Sequence, residues 1–128
     1  MKYLLDTHVF IWMDSDPSQL SSTVEVILKN KQHEVYLSVV SVWEIQIKTQ
    51  IGKLMLSASA DKLIQEQQQN NELQILPINL AHALKIGELP LHHKDPFDRL
   101  LVAQAIVEGY ILITKESLLS QYPVNVIW

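Results

Sequence analysis

The stretch that decides the fold is HHKDPFDRLLVAQAIVEGYILIT, residues 92–114, in which a helical pattern runs directly into an apolar strand. Asp95 stands before a proline, which is the pattern of an N-cap followed by proline at the first helical position. The apolar residues behind them predict a helix over about 96–108, which Gly109 ends. Residues 110–114, YILIT, then predict a continuously buried strand.

The rest of the chain repeats this alternation of short apolar strands and helical patterns. Further strands are predicted over residues 2–6, 34–38 and 73–78, with an edge strand over 124–128. Helices are predicted over residues 7–13, 18–30, 40–52, 59–71 and 80–89. Ser18 is the expected N-cap of the second helix, and Gly52 the expected end of the third. Strands that are apolar throughout and separated by helices predict an α/β fold, in which helices cover both faces of a mainly parallel sheet.

Length and composition are those of one folded domain over residues 1–128. Hydrophobic residues make up 48% of the chain and charged residues 19%, which allows a sizeable core and argues against disorder. The lack of cysteine excludes disulfides and thiolate metal sites. Asp6 and His8 interrupt the apolar N-terminal segment too early for a signal peptide, and no uncharged run approaches the ~20 residues of a membrane span. We therefore expect a soluble cytoplasmic protein.

Four acidic residues are placed by this fold near one edge of the sheet. Asp6 ends the first strand, Glu44 lies about one turn into the helix after the second strand, and Glu116 follows the YILIT strand by two residues. Asp98 is in the first turn of the helix that leads into that strand. Parallel strands present their carboxyl ends at a common edge, where ligands bind in such folds. Clustered carboxylates repel one another, so a divalent cation is expected, and oxygen ligands alone select Mg²⁺ or Mn²⁺ over Zn²⁺.

The two aspartates at the start of the 96–108 helix need separate explanations, because one helix requires only one cap. Asp95 is best explained as the N-cap, with a supporting role at a metal site as the alternative. Asp98 falls three residues later, where its carboxylate could simply complete a capping box. Considered with the three other acids at the same edge, Asp98 is better explained as a metal ligand.

At this point the residues resemble a known family, the PIN domain, and within it the VapC-type toxin ribonucleases of bacterial toxin–antitoxin pairs. The matching segments occur in the family's order and cover almost the whole chain. They are YLLDTHVFIW (3–12), SVVSVWEIQIKTQIGKLML (38–56), LPLHHKDPFDRLLVAQA (89–105) and ILITKESLLSQY (111–122).

The resemblance implies a Mg²⁺- or Mn²⁺-dependent endoribonuclease. Asp6, Glu44 and Asp98 fall on the family's acidic positions. The fourth position is commonly aspartate in a TxD pattern, whereas this chain has Glu116 in TKE, which weakens the expectation of a second metal. The net charge of −4 does not argue against RNA, because removing the four clustered carboxylates brings it from −4 to 0. Phosphodiester hydrolysis needs an activated water and charge stabilisation, which carboxylate-bound cations supply.

Three further side chains are candidates for contact with the substrate. Arg99 is expected to bind an RNA phosphate or to brace a catalytic carboxylate, with a surface ion pair as the alternative. Lys48, beyond Glu44 on the same helix, could follow a phosphate backbone, or could belong to a solvated helix face. Thr114, like Ser41, could hydrogen-bond a ligand carboxylate or a metal-bound water, and helix capping is the alternative for Ser41.

Aromatic residues on the first and third helices suggest a protein partner. Trp12 and Trp43 are the clearest examples, and a place in the core is the alternative for such residues. By resemblance the partner is the C-terminal segment of an antitoxin, and the chain is expected to form a homodimer. A degenerate PIN module that binds RNA or protein without catalysis is the alternative function, which Glu116 alone supports. A metal titration separates the two.

Overall fold

Five short parallel strands form the centre of the protein, which a computed structural model describes over residues 1–128. The strands are β1 (Lys2–Leu5), β2 (Glu34–Ser38), β3 (Gln74–Leu76), β4 (Ile111–Ile113) and β5 (Val126–Ile127). Their order across the sheet is β3-β2-β1-β4-β5, and every neighbouring pair is parallel. The predicted parallel α/β fold is therefore confirmed, including the edge strand near the C-terminus.

Six helices connect and cover these strands. They are α1 (Thr7–Ser15), α2 (Ser22–Lys29), α3 (Val39–Gln50), α4 (Ala60–Asn71), α5 (Leu80–Ile86) and α6 (Pro96–Glu108), with 3₁₀ turns at Pro17–Gln19 and Ser117–Gln121. No helix combines the length and the apolar character that a membrane crossing needs.

The side chains of each strand alternate between two hydrophobic cores, one on each face of the sheet. From β1, Tyr3 and Leu5 enter the core that α1, α2 and α4 cover, while Leu4 enters the core beneath α6. In the same way, Ile113 of β4 lies in the first core and Leu112 in the second. Because both faces are buried, the strands carry apolar residues at successive positions, which is the pattern that made them visible in the sequence.

The ends of α6 are as predicted. The Asp95 carboxylate accepts hydrogen bonds from the backbone N–H groups of Phe97 and Asp98, at 2.8 and 3.3 Å, so the capping prediction is confirmed. Gly109 ends the helix with φ +73°, a conformation that costs glycine no Cβ clash.

The predicted start of the second helix was wrong. Ser18 lies in the 3₁₀ turn, where its hydroxyl donates to the Asp16 carboxylate instead of capping a helix. Ser21 is the N-cap of α2, since its Oγ accepts from the N–H of Val24 at 3.1 Å. Pro17 allows the chain to begin a turn at this point, and the local bond to Asp16 delays the helix by three residues.

Candidate active site

The predicted site residues lie around the carboxyl edge of the sheet. Asp6 directly follows β1, and Thr114 directly follows β4, which pairs with β1. Asp98 is the third residue of α6. Glu44 is the sixth residue of α3, so it lies in the second turn of that helix and not, as expected, in the first.

Asp6 is almost fully buried and is held by two neighbouring elements. Its Oδ1 accepts the backbone N–H of His8 at 3.0 Å, which caps α1, and the Thr114 hydroxyl donates to its Oδ2 at 2.5 Å. The His8 ring Nδ1 lies 3.7 Å from Oδ1. Burial alone raises the pKa of Asp6, but the hydrogen bonds from His8 and Thr114 outweigh it and hold that pKa below its ordinary value. Asp6 is therefore a carboxylate in the folded protein.

Glu44 is also buried, with 2% of its surface exposed. Its Oε1 lies 2.8 Å from the Thr7 hydroxyl, which is itself 2.8 Å from Ser41 Oγ, and its Oε2 lies 2.5 Å from Lys48 Nζ. The bond to Glu44 raises the pKa of Lys48 above its ordinary value. This ion pair joins a buried carboxylate to a half-buried ammonium. Ser41 does not cap α3, because Ser38 does so through the N–H of Val40.

Asp98 has a different environment. Its Oδ2 lies 2.8 Å from His93 Nε2, and 16% of its side chain is exposed. Burial, followed by the nearby charge of Asp6, raises the pKa of Asp98 from 3.8 to about 6, even though the bond to His93 works in the opposite direction. The charges of Asp95 and Glu44 add to the same effect. Asp98 therefore lies within reach of the charges of the other carboxylates.

The hydrogen bonds of Glu116 are made within its own turn and to Thr114. Its carboxylate accepts from the N–H of Leu118 at 3.1 Å and so caps the 3₁₀ turn, while its own N–H donates to Thr114 Oγ at 3.0 Å. Asp6 and Glu116 nevertheless line one cavity of about 250 Å³, together with His8, Val9, Trp12 and Lys115.

The residues present are suited to a hard divalent cation. Asp6, Glu44 and Asp98 offer oxygen atoms only, and each lies beside a nitrogen group, of His8, Lys48 and His93 respectively. The carboxylate oxygens of these three acids do not all lie within 4.8 Å of one another. The one set of three potential ligands with atoms all within 4.8 Å of one another is His93, Asp95 and Asp98. The carboxylates would therefore have to exchange their nitrogen partners for the ion.

Two clefts flank His8 at this edge. One is the cavity with Asp6 and Glu116, and the other, of about 260 Å³, is lined by Thr7, His8, Ile11, Glu44, Ile45, Lys48, Lys53 and Leu54. Cationic side chains thus lie on both sides of the carboxylates. This distribution suits an extended polyanion that crosses the site.

Arg99 is placed differently from the other predicted substrate contacts. Its Nη2 donates to the carbonyl oxygens of Ile86 and Leu89, each at 3.3 Å, and its Nε is buried without a partner. In the structure this arginine braces the end of α5. Its contact with RNA phosphate stays a prediction.

The two tryptophans are both accessible, to different degrees. Trp43 is 54% exposed and packs edge-on against Phe97, with ring centroids 5.1 Å apart. Trp12 is half-buried against Trp128 at 6.0 Å, with Lys115 Nζ 5.9 Å from its ring centroid. Neither belongs to the fully buried core, which favours the contact role predicted for them.

Three residues that hold the carboxylates were not singled out for that role from the sequence: Thr7, His8 and His93. Thr7 and His8 directly follow Asp6, in the first turn of α1, so their proximity to the site is a signal that the DTH sequence already contains. His93 lies five residues before Asp98, across the loop and cap. The His93 ring reaches the Asp98 carboxylate because the loop before α6 turns back toward the start of that helix. The hydrophobic periodicity of the sequence does not reveal such a turn.

Comparison with known proteins gives a consistent result. The family model of the PIN domain matches residues 3–125. Ribonuclease VapC22 of Mycobacterium tuberculosis is 26% identical over 114 residues, which cover 88% of this chain and 85% of that protein.

Solved structures share the fold. VapBC2 from Rickettsia felis, crystallised with a DNA fragment from its promoter, has a TM-score of 0.71 and 18% identity, covering 99% of this chain and 98% of that chain. VapBC-1 from nontypeable Haemophilus influenzae has a TM-score of 0.62 and 20% identity, covering 99% and 97%. With the family model matching nearly every residue, this chain belongs to the PIN domain family.

Proposed function

We propose that this chain is a single PIN domain over residues 1–128 that acts as a Mg²⁺- or Mn²⁺-dependent endoribonuclease. The observation that carries the proposal is the set of three carboxylates, Asp6, Glu44 and Asp98, each beside a nitrogen group at one sheet edge. Family membership and the similarity to a ribonuclease support the same activity.

Asp6, Glu44 and Asp98 would hold the ion, and Glu116 would support a second, weaker position on the side of the Asp6 cavity. A cation bound there supplies an activated water and stabilises charge on the phosphoryl and leaving oxygens. Thr114 and Thr7 keep Asp6 and Glu44 in place through their hydroxyls. We infer one tightly held ion between Asp6 and Asp98.

The RNA substrate would run along the two clefts beside His8. Lys48 and Lys53 line the cleft on the Glu44 side, where their charges suit backbone phosphates. If Glu44 bound a cation in place of Lys48, the ammonium of Lys48 would become available to a phosphate. Thr114 would contact the substrate beside Asp6. Arg99, at the start of α6, would bind a phosphate if its guanidinium left the carbonyl oxygens of Ile86 and Leu89.

We also propose that the enzyme is the toxin of a toxin–antitoxin pair in the cytoplasm. The solved structures with this fold include VapBC assemblies, and a small antitoxin chain is therefore the expected partner. Trp43, which is half exposed on α3, and Trp12 on α1 are the proposed anchors for it.

A homodimer is the proposed state of the toxin itself. Exposed apolar side chains line the start and outer face of α5, where Ile78, Leu80 and Leu84 are 38%, 73% and 65% exposed. A second copy is the occupant we propose, since symmetric dimers are the commonest oligomers. Light scattering at roughly 10–50 µM would show a dimer mass, and a strictly monomeric species would contradict it.

Cleavage of RNA by the purified chain tests the enzymatic proposal. We expect cutting with Mg²⁺ or Mn²⁺ and none in EDTA, with recovery when excess Mn²⁺ is restored. Asp61→Asn, on the exposed first turn of α4, is the matched control and should leave the rate unchanged. Cleavage that continues undiminished in chelator would contradict the proposal.

A non-catalytic PIN module is the second candidate, and one observation favours it: the Glu116 carboxylate is engaged as the cap of a 3₁₀ turn. Such a module would bind RNA or a protein but would take up Mn²⁺ weakly or not at all. Calorimetric titration with Mn²⁺ separates the two functions.

A further inference from the structure

A line of buried polar side chains crosses the protein beneath the candidate site. Ser38, Gln104 and His82 are each 0% exposed, and they belong to the β2–α3 junction, to α6 and to α5 respectively. We call this line the Ser38–Gln104–His82 network. Buried polar groups are costly unless each finds a partner, so a fully satisfied network of this kind fixes the elements that carry it.

Gln104 is at the centre of the network. The Ser38 hydroxyl donates to its Oε1 at 2.5 Å. Its Nε2 lies 3.2 Å from the carbonyl oxygen of Pro77 and 3.3 Å from His82 Nδ1. The carboxamide oxygen and both N–H groups are therefore used, and the side chain joins α6 to three other elements.

The orientation of the network is fixed by its acceptors. His82 Nδ1 also accepts the backbone N–H of Asn79 at 3.2 Å, which places the ring proton on Nε2, 3.3 Å from Glu108 Oε2. A flipped Gln104 amide would direct its oxygen at two acceptors, the Pro77 carbonyl and His82 Nδ1. The arrangement with the Gln104 oxygen toward Ser38 gives every donor an acceptor, with the Nδ1 lone pair of His82 shared between two of them.

The Ser38–Gln104 hydrogen bond joins the start of α3 to the middle of α6, and the two helices are antiparallel. Ser38, at the start of α3, contacts Gln104, and Trp43 further along α3 contacts Phe97, which precedes Gln104 in α6. The two helices therefore run in opposite directions. Glu44 is six residues after Ser38 (44 − 38), and Asp98 is six before Gln104 (104 − 98). Six residues span about 9 Å of helix, so the two carboxylates stand level with each other above the hydrogen bond.

We infer that Gln104 is a positioning residue: the Ser38–Gln104 hydrogen bond sets the axial register of α3 against α6 and thereby the spacing of Glu44 and Asp98. Sliding one helix by a turn would move its carboxylate by about 5.4 Å, more than a cation at metal–oxygen distances of ~2.1 Å can follow. The inference rests on the proposed function, in which both acids bind the ion. Gln104 itself would contact neither the ion nor the RNA.

The test replaces Gln104 with leucine, which keeps the approximate volume but removes the hydrogen bonds. Calorimetric titration with Mn²⁺ in the absence of RNA should show affinity lower by about tenfold or more, as for other residues that orient metal ligands. The kcat for RNA should fall while KM stays near the wild-type value, because the phosphate contacts remain. Ser38→Ala should also lower the Mn²⁺ affinity, although it removes the N-cap of α3 as well. Because the two residues share one hydrogen bond, the loss in the double variant should be smaller than the sum of the two single losses.

Val24→Ala is the control for a general loss of stability. Val24 is 0% exposed in the core on the opposite face of the sheet. Its truncation should leave Mn²⁺ affinity unchanged. Equal losses of affinity in Val24→Ala and Gln104→Leu would overturn the positioning role. If Gln104→Leu does not fold, Ser38→Ala carries the same comparison.

The titration also separates this inference from the function on which it rests. A wild-type chain that takes up no Mn²⁺ would overturn the proposed function and the positioning role together. Normal uptake by the wild type and by both network variants would overturn the positioning role alone.

Discussion

The four acids of the candidate site divide into an inner and an outer pair. The inner pair, Asp6 and Glu44, are 5% and 2% exposed. Each accepts a hydrogen bond from a threonine hydroxyl, Thr114 for Asp6 and Thr7 for Glu44, and each lies beside a nitrogen group. Both carboxylates are therefore held by more than one neighbouring side chain.

The outer pair, Asp98 and Glu116, are held less completely. Asp98 has one side-chain partner, His93, and Glu116 caps a 3₁₀ turn through a single backbone N–H. The pKa of Asp98 is raised to about 6, first by burial and then by the charge of Asp6, whereas hydrogen bonds lower the pKa of Asp6. The inner acids are thus held by several neighbouring side chains, whereas the surroundings of Asp98 disfavour its charged form.

The largest expected effect is on cleavage. Asp6→Asn and Asp98→Asn should each reduce the rate by about 100-fold or more, the scale on which a lost electrostatic contact acts at a reacting centre. Single-turnover cleavage at saturating Mn²⁺ is the measurement, with Asp61→Asn as control. A variant that retains most of the activity would remove its residue from the proposed ligand set.

The same two substitutions should change stability in opposite directions in EDTA at pH 7. Asp98 has a raised pKa, so its ionisation weakens the fold as pH rises from 3.8 through about 6, and Asp98→Asn should stabilise by about 1–3 kcal/mol. Asp6 has a lowered pKa, so its contribution is present above 3.8 and is lost as pH falls through the lower folded value. Asp6→Asn should therefore destabilise.

Urea unfolding between pH 5 and 8 measures both effects. The advantage of Asp98→Asn over wild type should shrink as pH falls below about 6, because the native acid then takes up its proton. If both variants destabilise equally at pH 7, the distinction between the inner and outer pairs is wrong. A collapsed fold in Asp98→Asn would instead assign that acid to helix capping.

A smaller effect is expected at Glu116. Its side chain is one methylene longer than the family's usual aspartate and is engaged with the N–H of Leu118. Glu116→Gln keeps an acceptor for that N–H and should lower cleavage several-fold, well short of the roughly 100-fold loss expected at Asp98. Glu116→Asp should be tolerated. The measurement is the cleavage rate of Glu116→Gln, Glu116→Asp and Asp98→Asn at saturating Mn²⁺. If Glu116→Gln is as inactive as Asp98→Asn, Glu116 is a metal ligand of equal importance.

The smallest change in the folded protein is expected from Trp43→Ala. The side chain is 54% exposed, so the loss should be about 1 kcal/mol or less, far from the roughly 3–5 kcal/mol of a core tryptophan. Antitoxin binding should weaken by about 2 kcal/mol or more if this ring is an anchor. Thermal unfolding and a pull-down with the cognate antitoxin measure the two effects separately, with Val39→Ala, also exposed on α3, as control.

Much of this architecture was predictable from the chain. The strands are buried on both faces, so β1 and β4 appear as uninterrupted apolar runs. The helix over Pro96–Glu108 has unambiguous ends in Asp95 and Gly109. The short turn at Pro17–Gln19 was not predictable from periodicity, because a bond between neighbouring side chains decides where α2 begins.

The site was predictable to the level of the sheet edge but not to the level of hydrogen bonds. A parallel sheet brings Asp6 and Thr114 together, although 108 positions separate them. By contrast, the pairing of Glu44 with Lys48 depends on rotamers, and the fold of the loop before α6 decides where His93 points. The hydrophobic pattern of a sequence predicts where the strands and helices lie. The partner of a charged side chain depends instead on its rotamer and on the other polar groups within reach.

The strand order has a consequence for how the protein is made. β1 lies in the middle of the sheet, between β2 and β4, yet it is synthesised long before β4. Asp6 therefore emerges from the ribosome well before the threonine that holds it, and closing so large a loop is slow as well as late. A nascent chain that has not yet reached Thr114 lacks the hydrogen bond that fixes its central carboxylate. If the chain cuts RNA as proposed, the order of its strands delays a working site until β4 and Thr114 have been synthesised and have folded against β1.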